Sequence, residues 1–441
     1  MCEANIATSK IIKILLWMYL LVLPLMNLPK PLLLGTKIQY CDIFFMFLFI
    51  IWFFLVGMRK LYFPIHKNIK YSLIMIVAIN LFSCLNSSNL SVSIINYLGL
   101  LYLVVLFFLL AAILKDLNMF NMAIQIVFLS SVIASVIGIV SLILYLNGNT
   151  ALTKHFLFFT PLKTSVVPLP RLRSTFVSPE MFITFSQLGL VCGMIKIELM
   201  GNPIKRRLAF FGVLIILAAV FISYSRSLTG LLLTLSLILL VKENIKFLIP
   251  LRLAIITLFI ILFCAAILTS IWVIYPISIS HDADAELTTV AFHTSPDMRS
   301  ILQNAAVKIA IEKPFFGIGQ GMFTYQLKNY IDFKSASHTI KINDFRSLEI
   351  DPHSTYFGAL AETGLLGLIS MLIFFGAFLK STIIPLKELH ASKYKIVKFY
   401  LFASLVGSLL TGWFVDIFAF RHFWINLALL VSSDNIDTNN G

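Results

Sequence analysis

Residues Ser93–Leu114 read SIINYLGLLYLVVLFFLLAAIL, 22 residues without a charge, and Lys115 and Asp116 follow at once. As a helix rising 1.5 Å per residue, such a run is about 33 Å long, enough to cross a hydrocarbon core about 30 Å thick. Runs of this kind recur on both sides of it. The early ones lie near 11–28, 41–57, 70–85 and 93–114, followed by 121–146, 181–200, 208–223, 228–241 and 248–275. The last lie near 353–379, 396–416 and 420–432. The expectation is an all-α polytopic integral membrane protein of about twelve transmembrane helices. The first run does not read as a cleaved signal peptide, because it is long, carries Pro24 and Pro29 at its far end, and has no A-x-A site.

Composition agrees with lipid as the main solvent. The chain of 441 residues is 59% hydrophobic and 12% charged, contains 40 Phe, and has a mean hydropathy of +0.94. Soluble domains are nearer 45–50% apolar and about 25% charged. A soluble enzyme, a nucleic-acid-binding protein and a disordered scaffold are therefore excluded as classes. The net charge of +14 reads as topology-setting loops rather than as a site for a polyanion. Five cysteines, Cys2, Cys41, Cys84, Cys192 and Cys264, are scattered mostly in apolar runs without a CxxC, and read as small packing residues.

Basic residues fix an orientation. Lys10 and Lys13, the group Arg59 to Lys70, Lys115, Lys205–Arg207, Lys242 with Lys246, and Lys380 to Lys398 all fall in loops on one side when twelve spans are threaded. That side, with both termini, is expected to be cytoplasmic. The opposite side holds a loop at about 147–180 with Lys154, His155, Lys163, Arg171 and Arg173. It also holds the tight Ser223–Ser227 hairpin with Arg226, and a long polar stretch at 276–352. A connection that long is a functional candidate. The chain then divides into spans and a first outer basic loop (1–180), spans with the Arg226 hairpin (181–275), the large loop (276–352), C-terminal spans (353–432) and a polar tail (433–441).

Arginines on the outer side run against the positive-inside trend and need a reason. A guanidinium is always charged and grips phosphate oxygens with a two-pronged fork. Arg173 in RLRSTFVSPE and Arg226 in SYSRSLTG therefore either bind a lipid-linked phosphate or snorkel to ordinary headgroups; for Arg171 snorkelling is the favoured reading. In the large loop, Ile301, Ala305 and Ile309 form an apolar stripe on a helix from about Pro296 to Lys313, with Arg299 near its start. Pro314 and Gly317 end it, and Gly317, Gly319 and Gly321 read as a plain turn because no P-loop Lys-Ser/Thr follows. HDADAE at 281–286 reads as a solvated acidic loop.

DPHSTYFGALAETGLLGL at 351–368 is the sharpest motif. His353 stands at the mouth of a span, where a neutral imidazole can take a proton from a hydroxyl, and Asp351 is close enough to orient it. Glu362 lies deeper, and on a regular helix would face away from His353; a helix-packing hydrogen bond is the favoured reading for it. Asp416 with Arg421 and His422 reads as a structural ion pair.

These motifs together resemble the O-antigen ligase/polymerase superfamily of bacterial membrane glycosyltransferases. The resemblance rests on RLRSTFVSPEMF, SYSRSLTGLLL, MRSILQNAAVKIAIEKPFFGIGQGMF and DPHSTYFGALAETGLLGL, in that order, over roughly residues 170–370. PHST departs from a common His-Asn, and Ser178-Pro179-Glu180 from a common Pro-Asn. The resemblance implies metal-independent, inverting transfer of a glycan from undecaprenyl pyrophosphate at the periplasmic face of the inner membrane, without a cofactor. Arg173, Arg226 and Arg299 would hold the pyrophosphate, and His353 would be the general base. The acceptor would be lipid A–core for an O-antigen ligase, or the next lipid-linked repeat for a polymerase. A transporter of lipid-linked sugar is the alternative of a different class.

Overall fold

The computed structural model describes residues 2–27, 38–57, 65–149, 153, 155–160, 169–241, 296–331 and 351–440. The helices before the middle of the chain are α1 (Cys2–Val22), α2 (Tyr40–Gly57), α3 (Lys67–Leu85), α4 (Leu90–Ile113) and α5 (Leu117–Leu146). A short antiparallel pair follows, β1 (Leu157–Thr160) with β2 (Leu169–Leu172), and then α6 (Pro179–Leu199), α7 (Pro203–Ile222) and α8 (Leu228–Val241). Beyond these come α9 (Pro296–Glu312), the single turn α10 (Phe323–Gln326), α11 (Thr355–Thr382), α12 (Lys393–Thr411) and α13 (Arg421–Asn440). Every expected span falls on a helix except 248–275. That run, the acidic 281–286 cluster and the rest of 276–295 and 332–350 lie outside the described residues.

Among the described residues, α3, α4, α5, α6, α11 and α12 are long and apolar enough to cross a membrane, and α8 is apolar but shorter. The chain is an all-α membrane protein, with β1–β2 as a small addition inside what the sequence suggested was plain loop. Local sequence sets the helix starts. Asn89, Asp116, Ser178, Asn202 and Ser392 each accept a backbone N–H of the first turn through the side chain, and Pro179 and Pro203 stand where a missing N–H costs nothing.

Helix α6 runs through the centre of the bundle. Its Gln187 donates to the Ser404 carbonyl of α12 at 2.8 Å, and Thr234 of α8 donates to the Ala403 carbonyl at 3.2 Å. Such cross-helix hydrogen bonds between small polar residues bind helices where lipid supplies no hydrophobic drive. An aromatic cluster of Phe107, Phe374, Phe378 and Trp424 fills the space between α4, α11 and α13. Outward faces stay apolar and exposed, as at Ile74 and Phe82 of α3.

Helix α11 is broken at Gly364, whose φ of 69° and ψ of −169° lie outside helix space. The break frees carbonyls and amides, and the turn after α9 takes them up. Ile318 and Gly319 N–H donate to the Ala361 and Glu362 carbonyls, while Leu365 and Leu366 N–H donate to the Pro314 and Phe315 carbonyls. Gly317 also has positive φ (64°), and a Cβ there would lie 2.5 Å from the Ala361 carbonyl oxygen. The glycine turn is thus the internal partner of a broken membrane helix, which is where non-helical backbone is tolerated at that depth.

The apolar stripe of α9 packs against protein. Leu302, Ala305, Ala306 and Ile309 are buried with Ile318, Met322, Phe323 and Ala361.

Candidate active site

Two backbone segments and two helix starts converge at one end of the bundle. Strand β2 leads into Arg173, whose N–H donates to Phe156 O at 3.3 Å, and Ser174 Oγ donates to Ala134 O of α5 at 2.6 Å. The α7–α8 turn, which carries Arg226, is tied to the same strand by Ser223 Oγ donating to Leu172 O at 2.6 Å. Helix α9 brings Arg299 in its first turn, and α11 begins just after His353.

Glu180, in the first turn of α6, is the hub. Its Oε1 receives Arg171 Nη2 at 3.3 Å and Ser225 Oγ at 3.3 Å, with Arg299 Nη2 at 3.7 Å. Arg171 is buried and its Nε also donates to Ser223 O at 3.2 Å, so it does not snorkel. Arg299 is nearly buried, and its Nη1 has no hydrogen-bond partner among the described residues. Burial lowers the Arg299 pKa first; Glu180 opposes that shift, while Arg226 and Arg171 add to it. Arg226 is exposed by area, yet its pKa is lowered by partial desolvation and by Arg171. Two guanidinium groups share the single Glu180 carboxylate, with Arg226 in electrostatic reach, a local excess of positive charge that suits an anion.

Arg173, two residues beyond Arg171, has its pKa lowered by desolvation, and its Nη1 donates to Val177 O at 3.5 Å. The structure therefore brings Arg299 and Arg171 together on Glu180 with Arg226 in electrostatic reach, and places Arg173 just after β2, the strand that carries Arg171.

His353 sits with φ 49°, in the left-handed region. Asp351 Oδ1 accepts its N–H at 2.8 Å and lies 3.2 Å from Nδ1. The Asp351 carboxylate thus holds both the bend and the ring, which leaves Nε2 as the basic nitrogen. The other non-glycine residues with positive φ among the described residues are Ser174, next to Arg173, and Tyr224, two before Arg226. Left-handed geometry costs an ordinary residue about 1–2 kcal/mol, and such strain gathers at functional sites.

Ser354 and Thr355 anchor this corner. Ser354 Oγ and Thr355 N–H both donate to Gly412 O, and Thr355 Oγ1 donates to Val415 O at 3.0 Å while accepting Ile417 N–H at 2.9 Å. The Ser-Thr that departs from the family pattern thus clamps the start of α11 to the α12–α13 turn.

Behind His353 lie two neighbouring cavities of about 150 and 300 Å³ that share Gln320, Glu362, Asp416 and Phe418 in their walls. Asp351, Asn80 and Thr355 line the smaller, and Asn96 and Arg421 the larger. Glu362 Oε1 accepts Phe323 N–H at 3.2 Å, so its hydrogen bond goes to the turn at α10 rather than to another span. Burial and the nearby Asp351 raise the Asp416 pKa to about 6. Arg421 pairs with Asp42 of α2 at 2.7 Å through a two-pronged contact, and His422 Nε2 contacts Thr184 Oγ1 at 2.8 Å. The expected pairing of Asp416 with Arg421 and His422 is therefore replaced by a bridge to a distant helix.

Sequence reading missed Glu180 as a functional residue. Its signal was present: a carboxylate in a helix's first turn, at a boundary rich in arginine. No curated protein matches the chain. Residues 211–372, the stretch that contains Arg226, Arg299, His353 and the broken helix, match the family model described as O-antigen ligase, so this stretch of the chain is similar to that family.

Proposed function

We propose that the protein is an O-antigen ligase, a membrane glycosyltransferase that moves O-antigen polysaccharide from undecaprenyl pyrophosphate to lipid A–core. The observation that carries the reading is the Glu180-centred arginine cluster at the same end of the bundle as the His353–Asp351 pair. The family match supports the glycosyltransferase class.

In this reading Arg226, Arg299 and Arg173 face the pyrophosphate of the donor, with the unpartnered Arg299 Nη1 as one donor to it. The acceptor hydroxyl gives its proton to His353 Nε2 as its oxygen attacks the anomeric carbon. The bond from that carbon to the pyrophosphate oxygen breaks, and the electron pair leaves with undecaprenyl pyrophosphate. One displacement inverts the anomeric centre. Negative charge grows on the leaving group, where fixed guanidinium groups in a site of low dielectric are most effective. Asp351 steadies the imidazolium that forms. The polar cavities behind His353, walled by amides and carboxylates, suit the acceptor's sugar hydroxyls.

The reaction is read as metal-independent and facing the periplasm, with twelve spans and both termini in the cytoplasm. The basic loops support that orientation: Lys115 and Lys205–Arg207 lie at the end of the bundle remote from His353. A polymerase would use the same donor site and differ in acceptor.

The test is a surface-polysaccharide gel of a deletion strain with its lipid-linked pool extracted in parallel. Loss of long chains from lipid A–core, with polymer accumulating on the carrier, is the expected result. Core capped by one repeat, with no polymer on the carrier, would make the enzyme a polymerase. An unchanged gel and pool would exclude both.

A further inference from the structure

At the end of the bundle remote from His353, a cavity of about 930 Å³ opens between the ends of α1, α5, α6 and α12. Lys13, Lys196 and Lys393 line it from three different helices. Asp116 also lines it, but its Oδ2 already accepts Met119 N–H as the cap of α5. Asn118, Asn121 and Gln125 follow at spacings of three and four, which makes the first turns of α5 an exposed stripe of amides. At about 45 Å, α5 is longer than the hydrocarbon core, so this stripe at its start lies at headgroup depth. The remaining wall is apolar and aromatic, with Trp17, Met122, Leu199 and Tyr394. It continues into exposed Ile14 and Leu129 on the outer faces of α1 and α5.

A basic and amide-rich floor beside an apolar wall has the chemistry of a lipid headgroup with its chains alongside. Ammonium groups on flexible stems grip a phosphate from many directions, and amides both donate to and accept from hydroxyls. The apolar wall distinguishes this from a site for a small soluble anion. We propose that this cavity binds the phosphodiester headgroup of an anionic phospholipid, with Lys13, Lys196 and Lys393 on the phosphate and Asn118, Asn121 and Gln125 on glycerol hydroxyls. The site is separate from the arginine cluster, since Glu180 and Lys196 stand about 24 Å apart along α6. It does not depend on the glycosyl-transfer reading. A lipid held there joins α1, α5, α6 and α12 at the lysine-rich face.

The experiment uses the full chain in detergent with added phosphatidylglycerol or phosphatidylcholine. Bound lipid is read by native mass spectrometry and Tm in parallel. The expected result is retention of phosphatidylglycerol over phosphatidylcholine and a higher Tm with the former. Each Lys→Gln change should lower the preference about fivefold. Lys13→Gln and Lys393→Gln, at exposed positions, keep the test valid if Lys196→Gln fails to fold, and Lys→Arg at the same sites should retain the preference. Equal retention of the two lipids, or an unchanged preference in the Lys13→Gln/Lys393→Gln variant, would overturn the proposal. Equal stabilisation by inorganic phosphate alone would also overturn it, in favour of a soluble-anion site.

Discussion

Arg299 Nη2 ends 3.7 Å from Glu180 Oε1, and that contact joins α9 to the first turn of the most central helix of the bundle. The same oxygen receives Arg171 and Ser225. One largely buried carboxylate therefore sets the spacing of two guanidinium groups and of the turn that carries Arg226.

Glu180→Gln keeps the volume and removes the charge. Removing one partner of a buried ion pair costs about 3–5 kcal/mol. Transfer by the Gln variant is expected to fall at least tenfold, with part of the activity restored in Glu180→Asp. An in vitro assay with lipid-linked donor, run beside a folding check by size exclusion, reads this. Full activity in the Gln variant would mean that the arginines are placed by other contacts.

Arg226→Lys keeps the charge and loses the fork. A charge-assisted hydrogen bond is worth about 1.5–3 kcal/mol, so donor turnover should drop about 10–100-fold. Unimpaired turnover would reduce Arg226 to simple charge at the membrane boundary.

His353 occupies left-handed backbone, so the cleanest substitution is Asn, which tolerates that conformation. Loss of a general base costs about 10²–10⁴ in rate. His353→Asn and His353→Ala are both expected to abolish detectable surface transfer while membrane insertion stays normal. Retained transfer in the Asn variant would remove His353 from the chemistry.

Asp416 has its pKa raised to about 6 from 3.8, by burial first and by Asp351 second. The folded state then binds the proton more tightly than the unfolded chain, so this group's contribution to stability is complete below about pH 4 and falls as pH rises to about 6. The loss is at most about 3 kcal/mol. Thermal unfolding of Asp416→Asn should show a flatter pH dependence across that window and a higher Tm at pH 7. A profile parallel to wild type would show that Asp416 is not the titrating group.

Gly364→Ala places a Cβ against the Phe315 carbonyl, at a backbone conformation closed to L side chains. A loss of about 2 kcal/mol or more in stability is expected, visible as a lower Tm and poorer expression. A neutral result would mean that α11 can straighten without the glycine turn.

The sequence by itself determined the solvent of this protein and the extent of its helices. Apolar runs such as Ser93–Leu114 can satisfy their backbone in lipid only as helices, so composition and length suffice there. It also offered Arg173 and Arg226 as candidates, because charge at a membrane boundary is costly enough to stand out, and the motifs added Arg299 and His353. Only the tertiary structure decided who meets whom. Glu180 holds Arg171 and Arg299, and Arg421 takes Asp42 rather than Asp416. Residues on either side of Gly364 and the turn after α9 exchange hydrogen bonds across a broken helix. Pairing of this kind depends on distance through space between residues far apart in the chain, and a one-dimensional pattern carries no term for that distance.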